Sequence, residues 1–182
     1  ITCDAVGTFT LHSSAQEAGP GVSILQQRMS PHLSFPGGRG GEVTALVFSY
    51  TTYYPMDENE VIHLHLPGFT GPLGAGGLPR KFSTSSEPVY CGDDSDVFGC
   101  TPKYMEASWS TGNILSLTLK SRTKMDAGET ATIFVPSQAN IALPREGVLQ
   151  NQLTLSVRNI AARGEFAWTP IRTIDPVTLF EQ

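Results

Sequence analysis

Apolar and polar residues alternate with period two along nearly every continuous stretch of this chain, and the stretches are short and separated by turn residues. Residues 6–12, 42–52, 60–66, 103–110, 113–120, 130–136, 152–158 and 164–168 all carry the pattern. A period of two places successive side chains on opposite faces, which is the signature of a strand with one buried face. In 60–66 the phase puts Val61, His63 and His65 on one face and Ile62, Leu64 and Leu66 on the other; in 113–120 it turns Leu115, Leu117 and Leu119 inward. Between the strands stand Pro36-Gly-Gly-Arg-Gly-Gly41, Gly71-Pro-Leu-Gly-Ala-Gly-Gly77, Thr111-Gly-Asn113 and Asp126-Ala-Gly128, all turn formers. The expected fold is all-β: an antiparallel, immunoglobulin-like β-sandwich of about eight strands. Residues 16–29 hold enough apolar residues for a helical turn, but Pro20, Gly19 and Gly21 limit it.

At 182 residues the chain suits one domain, 1–182, large enough to bury a core. Trp109 and Trp168, each on an alternating strand, are expected in that core. Two segments, 1–12 and 169–182, read as candidate connections to neighbouring subunits. Ile171, Ile174, Val177, Leu179 and Phe180 give the C-terminal one more apolar surface than a free linker carries. Either it completes a neighbour's sheet or it folds back onto its own domain. A weak internal echo links 57–67 with 126–136: each runs acidic turn, alternating strand, proline. Hairpin-fed strands share that form, and a duplicated sheet edge is the sharper reading.

Only 16% of residues are charged, against the usual quarter; Ser, Thr, Gly and Pro take their place, as in secreted all-β modules. A net charge of -5 speaks against a nucleic-acid surface, and no apolar run nears the roughly 20 residues that span a bilayer. The chain begins at Ile1, which fits removal of a signal peptide or a segment of a longer protein. None of the asparagines is followed two positions later by Ser or Thr, so N-glycosylation is not expected; the hydroxyl run 83–86 beside Pro88 leaves O-glycosylation open.

Cys91 and Cys100 bracket the acidic loop Cys91-Gly-Asp-Asp-Ser-Asp-Val-Phe-Gly-Cys100, a spacing that can close a compact disulfide in an oxidising compartment. Cys3 is then the odd cysteine, a candidate for an intermolecular bond or a free thiol. Asp93, Asp94 and Asp96 form a candidate calcium clamp. The run from Asp94 starts like an EF-hand loop but places Phe98 and Met105 where acidic ligands are needed. A solvated acidic turn explains the three carboxylates equally.

His63 and His65 share one strand face in a spacing used by metal sites, with His12 or His32 as a third ligand; an exposed polar face is the plainer account. Tyr50, Tyr53 and Tyr54 are a candidate glycan-binding cluster, against ordinary packing at a strand end. Neither a nucleophile elbow nor a phosphate-cradling glycine motif occurs, so no enzyme activity is expected.

The phrases Leu66-Pro-Gly-Phe-Thr-Gly71, Ala107-Ser-Trp109 with Leu115-Ser-Leu-Thr-Leu119, Ala127-Gly-Glu-Thr130, Ile141-Ala-Leu-Pro-Arg-Glu-Gly147 and Asn151-Gln-Leu-Thr-Leu155 come in an order similar to that of β-sandwich modules in large, repetitive extracellular proteins of microalgae and other protists. The resemblance covers roughly 42–168 and rests on structural, not catalytic, motifs. It implies a surface or matrix protein whose modules join end to end. The expected function is therefore a secreted structural module that self-associates into an extracellular fibre, sheath or surface appendage by edge pairing or strand exchange. The alternative is an extracellular adhesin or carbohydrate-binding module, with calcium as its candidate cofactor.

Overall fold

A computed structural model describes residues 30–77, 80–83, 105–120, 124–162, 164–165 and 167–177. Among these residues eleven strands follow in chain order: β1 (His32–Ser34), β2 (Leu46–Thr51), β3 (Val61–His65), β4 (Arg80–Ser83), β5 (Met105–Ser110), β6 (Ile114–Leu119), β7 (Thr130–Val135), β8 (Ser156–Ala161), β9 (Gly164–Glu165), β10 (Thr169–Pro170) and β11 (Thr173–Ile174). They form two sheets, one in the order β11-β1-β2-β7 and one in the order β10-β8-β3-β6-β5-β4, with β9 also paired to β8. Setting aside the two-residue strands, the sheets hold three and five strands, and the fold is an antiparallel β-sandwich of eight.

The alternation read in the sequence is what closes the sandwich. Leu46, Phe48 and Tyr50 of β2 and Ala131, Ile133 and Val135 of β7 point inward from one sheet; Ile62 and Leu64 of β3, Met105, Ala107 and Trp109 of β5 and Leu115, Leu117 and Leu119 of β6 point inward from the other. The outward residues at intervening positions are half-buried and mostly hydroxyl-bearing, which keeps both outer faces wettable with few charges. The longest pairings are β2–β7 in the smaller sheet and β3–β6, β3–β8 and β5–β6 in the larger. Here β6, β5 and β4 extend the larger sheet beyond β3.

Two sequence turns behave as read. Gly112 and Asn113, with φ of 80° and 59°, carry the turn between β5 and β6 in conformations that Gly and Asn tolerate. Gly71 is required for a different reason: a Cβ there would lie 2.6 Å from the Trp109 indole, because the loop after β3 crosses directly over that ring.

The internal echo is real as turn geometry. Glu60 Oε2 accepts the Asp57 N–H at 2.8 Å, and Glu129 Oε2 accepts the Asp126 N–H at 2.9 Å. Asn59 and Gly128 hold positive φ at equivalent places. Met56 and Met125, one residue before each turn, exchange both backbone hydrogen bonds with each other at 2.8 Å. The two strands that follow, β3 and β7, enter different sheets. They are not a duplicated edge, because β3 is central in its sheet while β7 ends the other.

The C-terminal segment departs from the role of a connector. After β10 pairs antiparallel with β8, the chain crosses to the other sheet and β11 pairs parallel with β1. Ile171, Ile174 and Val177 are buried in this domain, and Val177 exchanges backbone hydrogen bonds with Val148. Of the two readings of this tail, folding back is the one observed for 169–177. Residues 178–182 and the other candidate connector, 1–12, lie outside the described residues, as do the strand expected at 6–12 and the helical turn expected within 16–29.

Two expected strands shift. The strand assigned to 152–158 begins at Ser156 instead. The preceding residues form a turn with Asn151 at φ 58°, held by Gln152 Oε1 accepting the Leu149 N–H at 3.1 Å, and Leu153 stays 61% exposed. The strand at 164–168 is reduced to Gly164–Glu165.

Candidate functional site

Of the candidate site residues, Cys3, Cys91, Cys100, Asp93, Asp94, Asp96 and His12 lie outside the described residues. The others can be placed. Tyr50 is fully buried between the sheets and offers nothing to a ligand, so the glycan cluster loses one of its three rings. β2 ends at Thr51, and the inward phase of Tyr50 follows from Leu46 and Phe48 before it. Burial lifts its phenol to about 12, a neighbouring Asn159 side chain opposing the rise more weakly. Tyr53 and Tyr54 meet edge to face at 4.8 Å; Tyr53 packs against the core and Tyr54 is exposed.

The histidines separate. His32 sits on β1 of the smaller sheet, where its Nε2 lies 3.2 Å from Asp175 Oδ1. It does not join His63 and His65 on β3. Among the described residues no three His, Cys, Asp or Glu side chains are grouped as metal ligands.

What His63 and His65 do meet is Trp168, which the sequence reading had placed in the core. Trp168 is 40% exposed. It directly precedes β10, which hangs on the edge of the larger sheet, so the indole folds over the outer face. Its ring centroid lies 6.5 Å from that of His63 and 5.8 Å from that of His65, and the Arg158 guanidinium stacks 5.0 Å from it. His63 Nδ1 is 2.8 Å from Ser116 Oγ on the adjacent β6. Partial burial and, secondarily, repulsion from Arg158 hold His63 below the usual imidazole range, so it is neutral at pH 7.

Register explains the convergence. Arg158 of β8 is opposite His63 of β3, which is opposite Ser116 of β6, which is opposite Ser108 of β5. These four form one row across the outer face, all on the outward phase. Arg158 and Trp168 were missed by sequence reasoning. The alternation of β8 marks Arg158 as outward, but only the strand order brings it beside a histidine 95 positions earlier in the sequence.

Among the described residues no helix is long and apolar enough to cross a membrane. Comparison of the chain with protein-family models, with curated proteins and with solved structures finds no match.

Proposed function

We propose that this chain is an extracellular structural module that assembles with neighbouring modules into a fibre, sheath or surface appendage, pairing sheet edge to sheet edge. The observation that carries the reading is β7. It pairs with β2 along one side, and among the described residues no strand pairs along the other. The six residues Thr130–Val135 contain neither charge nor proline. Sheet edges of that length are ordinarily blunted with Lys, Pro or a bulge, because their free N–H and C=O groups recruit another strand. Here Glu129 and Pro136 only flank the strand, which confines pairing to its own span.

The opposite edge of the same sheet is treated differently: β11 covers β1. Among the described residues the smaller sheet is thus open along one edge, which gives a directional contact suited to a neighbour's exposed strand. The same arrangement moves the proposed joint away from the C-terminal tail and onto β7.

The test is Thr132→Lys. Thr132 faces outward on β7 and its hydroxyl makes only a 3.4 Å contact to Ser49 Oγ, so the fold should change by no more than about 0.5 kcal/mol. Light scattering over a concentration series should show multimers for the unaltered chain and monomers for the variant. An unaltered chain that stays monomeric, or a variant that assembles equally well, would refute edge pairing at β7.

A further inference from the structure

We propose that the outer face of the larger sheet around Trp168 is a binding site for an acidic saccharide, with Arg158 receiving the acid group and the indole receiving a sugar-ring face. The inference is independent of edge pairing at β7, which lies in the other sheet.

Three features converge on that ligand. The first is an aromatic platform held by neighbouring side chains and still partly exposed. Arg158 stacks on Trp168 at 5.0 Å and the two histidines flank it, yet two-fifths of the residue remains in water. An amphipathic ring fixed at the surface of a polar sheet offers apolar area to a ligand that is itself half polar.

The second is an uncommitted cation. Arg158 Nε is buried and has no hydrogen-bond partner, and among the described residues no carboxylate ion-pairs with its guanidinium. Two described carboxylates of the larger sheet, Glu106 and Glu60, have partners of their own. Glu106 Oε2 is 2.9 Å from Lys120 Nζ, and Glu60 accepts the backbone N–H groups of Asp57 and Ala162. A planar guanidinium with free donors matches a carboxylate or sulfate in two-point contact.

The third is the row of hydroxyl and imidazole groups running away from the indole: His63, Ser116 and Ser108 on adjacent strands, in register with Arg158. Strands spaced about 4.8 Å apart make this row about 14 Å long, enough for more than one sugar ring. A protein partner would want a buried apolar anchor on such a face. A chain of hydroxyls with one acid group and one apolar face fits it better.

The experiment is calorimetric titration of the full chain at low salt with three probes: a hexauronate, a sulfated galactan hexamer and neutral cellohexaose. The acidic probes should bind saturably, at least tenfold more tightly than cellohexaose, and weaken as salt is added. Arg158→Gln should cost the acidic probes at least tenfold, Arg158→Lys less, and Trp168→Ala should abolish binding, while Thr132→Lys leaves it unchanged. Cooperative melting of each variant establishes that it is folded. No saturable binding of either acidic probe, equal binding of cellohexaose, or a folded Arg158→Gln variant with unaltered affinity would overturn the proposal.

Discussion

Tyr50 and Asn159 carry polar groups into the apolar core, one from each sheet. Both are buried, and neither amide atom of Asn159 completes a well-aligned hydrogen bond with a described residue. The phenol is therefore costly to ionise, and burial raises it to about 12 from 10.0. The consequence for stability has a definite sign. Above pH 10 the unfolded chain loses this proton first, so the folded state loses ground until about pH 12. Two units correspond to about 3 kcal/mol. Unfolding titrations of the unaltered chain and of Tyr50→Phe should diverge by that order between pH 10 and 12, the variant losing less; parallel curves would show that the hydroxyl ionises without penalty. His63 acts at the other end. Its depressed pKa means that its contribution is intact above the ordinary imidazole value and declines as pH falls below it.

At the level of elements, alternation was enough to find the long central strands. β2, β3, β5, β6 and β7 each begin and end within a few residues of the alternating runs, with the expected residues facing inward. Short edge pieces were not legible: β1, β10 and β11 have two or three residues each, too few for any period to register. Trp168 was misplaced for the same reason. An aromatic next to alternating residues reads as core, and only the short hydrogen-bonded stretch of β10 reveals that the indole lies outside. Leu153 failed in reverse, its leucine spacing continuing a strand pattern through a turn that Asn151 imposes. The binding face itself needed strand order, since Arg158, His63 and Ser116 come from three strands remote in sequence.

The tail makes a quantitative prediction at this scale. Ile171 is fully buried against its own domain. In the Thr132→Lys background, where the chain is expected to be monomeric, Ile171→Ala should cost about 3 kcal/mol in denaturant unfolding. That cost should be the same at every protein concentration. A loss that grows on dilution would mean that the tail is seated in a neighbouring chain.

As a whole molecule the sandwich treats its surfaces unequally. Among the described residues one sheet is closed at β1 by β11 and left open at β7; the other is broadened by β6, β5 and β4 and carries the Arg158–Trp168 stack on its outer face. A low charge content fits both features, since charged residues are the usual means of keeping edges apart and faces unattractive to one another. The central claim is that β7 is the joint between modules. Amide hydrogen exchange across residues 130–135, followed as protein concentration is raised through assembly, tests it most directly. The account predicts that the amides facing away from β2 exchange quickly in dilute solution and become protected as multimers form. Assembly that leaves those amides exchanging at their dilute rate would contradict it.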